Sequence, residues 1–410
     1  VRRRRMADFS RQPEAGFLTL VRDADGLLDW QVDAGPSRGP VRRAARRGVF
    51  DPTPIDQVAF RPVTGSKVAE FLTKLDAGFN DRYGLFDLAG QRVDAVVPEG
   101  RVLLIVHGTF SKCDAIVKQL EDINTGEGRQ LLAAARDRGA YKQVLLYEHP
   151  TLAVAPWLNA LDLARAFVHS SARIDIVCHS RGGLVTRWWL ETMSPRLAPT
   201  ARVVFVGSPL MGTGLASPYR LRTALKLLTN LSAAMGGAGQ LASLAMPMFA
   251  VVQGLATLLG SVTGVLARTP IADAAVALVP GLVAMSRYGP DGGDFIKDNR
   301  ELEKLSYGWT CAPNGYFAVS SNFETEDVGW KFWQVFRNPL ERIADSATDA
   351  LFSGQNDLVV DTDSMSRMAA AVTIAGPQRR LDFGTNPNVH HLNYFAQKDT
   401  VAFIRSTFAF

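Results

Sequence analysis

The run Asp175-Ile176-Val177-Cys178-His179-Ser180-Arg181-Gly182-Gly183-Leu184 passes from an apolar strand through a tight turn into a helix, with a serine at the apex. Such a turn lifts the hydroxyl clear of the sheet and aims the first helical N–H groups at whatever it attacks, which favours developing negative charge. This is nucleophile chemistry, and the sharpness of the reversal demands small side chains two places either side of the serine. Cys178 and Gly182 occupy those places, so the pattern departs from Gly-x-Ser-x-Gly only where Cys178 replaces the first glycine. An ordinary buried strand followed by a serine-capped helix would also read this way. Upstream, Leu103 to Phe110 ends a second apolar strand on His107-Gly108. Gly108 lets the backbone turn back over the sheet, and two N–H groups, those of Thr109 and Arg181, are then expected to converge as an oxyanion hole. Phe110 is the reserve for Thr109, and His107 reads as a residue that orients the loop.

Elements able to hold such a site recur along the chain. Apolar runs at 102–106, 144–147, 174–177, 203–206, 316–319 and 380–383 are bounded by turn signals. Continuous apolar strands are what a parallel sheet covered on both faces requires. Helical periodicity lies between them at 114–123, 129–138, 157–168 and 183–192. The expectation is an α/β fold, a doubly wound and mostly parallel sheet with its ligands at the carboxyl ends of the strands.

Three segments together carry a resemblance: His107-Gly108 after one central strand, Cys178-His179-Ser180-Arg181-Gly182-Gly183 after a later one, and Val206-Gly207-Ser208-Pro209-Leu210-Met211-Gly212-Thr213 after the next. From about Arg101 to Phe410, interior insertion excepted, the chain resembles an α/β-hydrolase of the lipase/esterase kind. The resemblance implies a catalytic acid and then a histidine downstream of Ser180. Gly354-Gln355-Asn356-Asp357-Leu358-Val359-Val360 matches the acid loop, which makes Asp357 the expected acid, with Asp361 and Asp363 as fallbacks. In Asn388-Val389-His390-His391-Leu392-Asn393-Tyr394-Phe395 the family pattern points to His391, with His390 a neighbour. The implied catalytic set is Ser180, Asp357 and His391, with the Thr109 and Arg181 amides holding the oxyanion. The implied activity is serine carboxyl-ester hydrolysis through an acyl-enzyme, with no cofactor and no metal. His179 is expected to pack or hydrogen-bond locally. An acyltransferase or amidase on the same triad, or an inactive member of the fold that docks to a partner or membrane, remain the alternatives.

The composition fits a globular chain: 47% apolar and 21% charged residues, mean hydropathy +0.02, net charge +5. Residues 1–50 hold eleven arginines against six acidic residues, a surplus equal to that of the whole chain. No aromatic interleaving or nucleic-acid motif accompanies these arginines, so a solvated arm is expected and no nucleic-acid partner. Cys113, Cys178 and Cys311 are odd in number and lack Cys-x-x-Cys spacing, which argues for a reducing compartment and against a disulfide framework or zinc site. No apolar stretch follows the basic run at 2–5, so no signal peptide is recognised, and the expected location is cytoplasmic, with membrane association left open.

Residues 1–98 read as an accessory segment, with a hairpin turning at Asp25-Gly26, a basic linker at 35–48 and a second hairpin turning near Gly90. Residues 99–410 read as the catalytic domain. Within it 211–294 form an apolar helical insertion, and from Leu227 to Ala267 there is no charged residue. Three readings compete for that stretch: a cap over the site, a membrane-inserting segment or a buried subdomain. Its apolar character, set beside the family resemblance, points to a lipid or long-acyl ester as substrate.

Overall fold

The computed structural model describes residues 16–22, 28–33, 54–60, 68–121, 131–133, 135, 139–216, 229, 279–287, 299–306, 315–324, 355–369 and 371–409. The chain opens on a three-stranded antiparallel sheet. Strands β1 (Gly16–Arg22) and β2 (Leu28–Asp33) form the hairpin expected across Asp25-Gly26, and β3 (Pro54–Phe60) adds to the other side of β1. Helix α1 (Val68–Phe79) follows.

Among the described residues nine further strands come next: β4 (Gly84–Phe86), β5 (Arg101–Val106), β6 (Gln143–Glu148), β7 (Arg173–His179), β8 (Arg202–Val206), β9 (Tyr316–Phe323), β10 (Arg367–Ala369), β11 (Val372–Thr373) and β12 (Arg380–Asn386). Seven of them make one sheet in the order β12-β9-β8-β7-β5-β6-β4. All its pairings are parallel except that of β4 with β6. The six apolar runs legible in the sequence are its six parallel strands. The edge strand β4 comes from the amino-terminal side of residue 98, and the turn near Gly90 closes just beyond it, where Asp87 N–H donates to the Gln91 carbonyl at 2.9 Å.

The continuity of those runs has a direct cause: both faces of the sheet are buried. Val102, Leu104 and Val106 of β5 face one core, packed with Leu163 and Phe167 from around helix α3 (Pro156–Ala166) and with Val185 of helix α4 (Gly182–Arg187). Leu103 and Ile105 face the other core, with Ile116 and Leu120 of α2 (Cys113–Glu121) and Val401, Ile404 and Phe408 of the last helix, Lys398–Phe408. Helix α4 continues as a π-helical segment, Trp188–Met193, which ends one residue past the helical stretch read at 183–192. Two short helices, α5 (Pro280–Val283) and α6 (Arg300–Ser306), precede that last helix, α7.

Chain order around β5 places the site. The path goes from β5 out to β6, then crosses back over β5 to lay down β7 on its other side, so the strand order reverses at β5. The carboxyl ends of β5 and β7 therefore flank the crevice where doubly wound sheets bind ligands. Gly108 follows one of these strands and Ser180 the other.

The charge-free stretch 227–267, apart from Thr229, the basic linker at 35–48 and Cys311 lie outside the described residues, as does most of the insertion 211–294. Of the helix read at 129–138, residues 131–133 and 135 are described, and they are helical. Among the described residues no helix is long and apolar enough to cross a membrane.

Candidate active site

Ser180 has φ +52°, a left-handed conformation that side chains other than glycine's rarely adopt. Its N–H donates to the Val206 carbonyl of β8 at 3.0 Å, and its carbonyl accepts from Gly183 N–H at 2.9 Å, so strand and helix meet at this residue. The small residues around it are dictated by contact. A Cβ on Gly182 would stand 2.7 Å from the carbonyl oxygens of Val106 and His107, and one on Gly108 would stand 2.7 Å from Ser180 Cβ. Cys178, in place of the first glycine, is fully buried, its thiol directed to the Val204 carbonyl at 3.6 Å.

Asp357 and His391 meet as a hydrogen-bonded pair, Nδ1–H of His391 donating to Oδ2 at 2.8 Å. Asp357 is fully buried and accepts three further hydrogen bonds: Tyr394 Oη–H to Oδ2 at 2.9 Å, and the Val359 and Val360 N–H groups to Oδ1 at 3.1 and 2.8 Å. The Leu358 turn, at φ +88°, brings those two amides round to the carboxylate. The fallback acids are engaged elsewhere, since Asp363 takes both Nη atoms of Arg287 at 2.9 and 3.1 Å and Asp361 lies 3.8 Å from the same side chain.

Gly207, at the end of β8, passes beneath this pair with φ +54°. A Cβ there would lie 2.8 Å from the Tyr394 ring, 3.1 Å from Asp357 Oδ2 and 3.2 Å from His391 Nδ1.

His107, His149, His179 and His390 are held neutral by burial. His179 is pushed down to about 3, and its Nε2–H donates to the His391 carbonyl at 2.9 Å, fixing the loop that carries that ring. His390 is buried and pushed down to about 4, its ring edge-on to Phe323. His107, also pushed down to about 3, donates from Nδ1 to the Gly108 carbonyl at 2.8 Å and accepts the His149 N–H at Nε2 at 3.2 Å. It therefore braces the loop after β5.

On that loop Phe110 N–H donates to Thr151 Oγ1 at 3.4 Å. Among the described residues the main-chain N–H groups of Thr109 and Arg181 have no acceptor, as expected for a loop amide and the first amide of a helix. The loop's far support is Asp76 of α1, which accepts hydrogen bonds from the N–H groups of Thr151, Leu152 and Ala153 and from Thr151 Oγ1.

Ser180 and His391 open onto one cavity of about 780 Å³, its mouth included, shared with Thr109 and Phe110. Leu282 and Met285 line one wall; Leu358, Val359 and Val360 line another; Pro209, Leu215 and Leu392 complete it. The two walls are tied together: Thr213 N–H donates to the Met285 carbonyl at 2.8 Å, and Thr213 Oγ1 donates to the Val359 carbonyl. No three His, Cys, Asp or Glu side chains are grouped as metal ligands among the described residues.

The roles of Tyr394, His179 and Asp76 were not read from the sequence. Each acts on a group 37 or more positions away along the chain, and no local pattern announces such a contact.

No curated protein matches the sequence. Among solved structures, the lipase BlEst2 of Bacillus licheniformis in its mature form is similar at 13% identity and a TM-score of 0.38, over 77% of this chain and 95% of that one. Lipase 1 from Pelosinus fermentans is similar at 13% identity and a TM-score of 0.40, over 75% and 97%. Aspergillus fumigatus lipase B is similar at 20% identity and a TM-score of 0.21, over 28% and 26%. The model of DUF7379, a domain of unknown function, matches residues 74–409, from within α1 to the end of α7, and the chain belongs to that family.

Proposed function

We propose that this protein is a serine hydrolase of the α/β-hydrolase kind that cleaves carboxylic esters with a long apolar acyl group. The observation that carries the reading is Ser180, held at φ +52° at the switch point of the sheet and sharing a cavity with His391, whose Nδ1 is committed to Asp357. With the Nδ1 proton on Asp357, Nε2 of His391 is left as the acceptor. In the reaction His391 takes the Ser180 proton as the oxygen's electron pair attacks the acyl carbon. The carbonyl π pair moves onto oxygen, where the Thr109 and Arg181 N–H groups receive it. Collapse expels the alcohol, which takes the proton from His391. Water, deprotonated by the same imidazole, then attacks the acyl-enzyme, and collapse releases the acid as His391 returns that proton to the Ser180 oxygen.

The substrate class is supported by the walls, which beyond Ser180, His391, Thr109 and Thr213 are apolar throughout. Each methylene buried there contributes ~0.8 kcal/mol, close to fourfold in kcat/KM until the cavity is full. The test is kcat/KM for p-nitrophenyl esters from acetyl to palmitoyl, with Ser180→Ala as control. A rise with acyl length that the variant abolishes supports the reading. A preference for acetyl, or turnover that survives in Ser180→Ala, contradicts it.

A further inference from the structure

An ionised carboxylate offers about four lone pairs, and four donors among the described residues fill those of Asp357. The Val359 and Val360 N–H groups take Oδ1 at 3.1 and 2.8 Å. His391 Nδ1–H and Tyr394 Oη–H share Oδ2, at 2.8 and 2.9 Å. Tyr394 is therefore the donor that competes with the imidazole for one oxygen. It stands three positions after the histidine, in His391-Leu392-Asn393-Tyr394, where it opens the short helical turn Tyr394–Ala396. Its side chain is fully buried and lies outside the lining of the cavity, so it meets the reaction through Asp357. Met365 Sδ, 3.6 Å from Oη, is a weaker acceptor than the carboxylate and leaves the hydroxyl proton on Oδ2.

Burial, with the Asp357 charge beside it, pushes the phenol well above its ordinary range, so it remains a donor at neutral pH and well above it. Among the described residues the charge in hydrogen-bond contact with the imidazole is that of Asp357. His179, from β7, and His390, next in the chain, are neutral, as is His107 beyond His179. Asp382, from β12, acts on the phenol from a distance and is ion-paired with Arg380 at 2.6 Å. Asp361 and Asp363, from the acid loop, face Arg287.

We propose that the Tyr394 hydroxyl is a positioning group that sets how strongly His391 holds a proton, by taking up part of the Oδ2 charge that would otherwise serve the imidazole alone. A hydrogen bond to a carboxylate stabilises its charge and leaves less of it for the next donor. The imidazolium formed during the reaction is then stabilised less than by Asp357 without the phenol, and it gives up its proton to the leaving alcohol more readily. The same hydroxyl ties the histidine loop to the acid loop, beside the bond from His391 N–H to the Asp357 carbonyl at 3.0 Å. The proposal rests on the reading of Ser180, Asp357 and His391 as a catalytic set.

The test compares the full wild-type chain with Tyr394→Phe and with a chain carrying a ring-fluorinated tyrosine in place of Tyr394, whose more acidic hydroxyl is the stronger donor. Readouts are kcat and KM for a p-nitrophenyl ester from about pH 5 to about pH 9, with thermal melting to score folding. The pH at which the His391 ring titrates is followed separately, by NMR of chains with isotope-labelled histidine. Tyr394→Phe is expected to move the acid limb of the kcat profile and the ring titration together to higher pH, by about half a unit or more, because Oδ2 then serves the imidazole alone. KM should change by less than about twofold, since the residue does not line the cavity. The fluorinated chain should move limb and titration to lower pH.

A folded Tyr394→Phe whose acid limb and ring titration stay in place, or move to lower pH, overturns the proposal. That holds even where kcat falls at every pH, which is what a purely structural tyrosine would give. If Tyr394→Phe fails to fold, the fluorinated chain decides, and a titration superimposable on wild type overturns the proposal. A wild-type chain that neither turns over esters nor reacts at Ser180 overturns instead the reading on which the proposal rests.

Discussion

Replacing Gly207 with alanine should damage the site far more than replacing Gly384, although both glycines have left-handed backbones, at φ +54° and +60°. Either substitution forces an L-residue into the left-handed region at ~1–2 kcal/mol. At Gly384 the new methyl meets nothing within 4 Å, so that strain is the whole effect. At Gly207 it meets the Tyr394 ring at 2.8 Å, Asp357 Oδ2 at 3.1 Å and His391 Nδ1 at 3.2 Å, between groups that are all buried. Relieving that crowding adds ~1–3 kcal/mol of overpacking and pushes on both partners of the His391–Asp357 hydrogen bond. A displacement of a few tenths of an ångström at a reacting group is enough to lose a large part of an effect that reaches ~10² for 1 Å. Urea unfolding and ester hydrolysis on the two variants separate the contributions. Gly384→Ala should lose ~1–2 kcal/mol and keep its kcat, whereas Gly207→Ala should lose ~2–5 kcal/mol and at least about tenfold in kcat. Equal stability and equal activity in the two variants would refute the placement of Gly207 beneath the pair.

Asp357→Asn should lower kcat by ~10⁴. The asparagine oxygen can keep the Val359 and Val360 N–H groups, but its amide then faces His391 Nδ1 and the Tyr394 hydroxyl, which selects the imidazole tautomer with its proton on Nε2, where it cannot accept from serine. A loss under about tenfold would mean that another carboxylate orients the ring. Stability should fall as the pH drops through the range from about 6.5 to about 4. His107, His179 and His390 are pushed by burial to about 3, 3 and 4, and His149 also lies well below 6.5, so the unfolded chain takes up protons there that the folded chain refuses. Glu301, Glu148 and Asp162, raised by burial, work the other way, but they are three acids against four histidines. A melting temperature at pH 5 equal to or above that at pH 7.5 would refute this balance.

The interior parallel strands were legible because they are buried on both faces and so read as unbroken apolar runs, as at Val102 to Val106, whereas the edge strand β12 is only partly buried. Gly84-Leu85-Phe86 was read as one arm of the hairpin turning near Gly90, and Phe86 does bridge to Arg92 there, but its place as the antiparallel edge of the main sheet was not legible, since that pairing is with β6, more than fifty residues away. Strand β3 was missed too, because Pro54 to Phe60 alternates only weakly after a proline-rich stretch. In the site, the turn at Ser180, the Asp357 loop and His391 announced themselves because each is a local pattern of residue types. The partners that fix them did not. Nothing near Tyr394 in sequence marks it as a donor to Asp357, and nothing near Arg181 announces that the fold buries its side chain.

The central claim is that Ser180 is a nucleophile activated by His391, and covalent labelling with a fluorophosphonate tests it most directly. The expected result is stoichiometric phosphonylation of the wild-type chain, mapped by mass spectrometry to Ser180, absent in Ser180→Ala and slowed at least a hundredfold, on the order of a lost triad member, in a folded His391→Ala. Modification elsewhere, or unchanged labelling rates in His391→Ala, would contradict it.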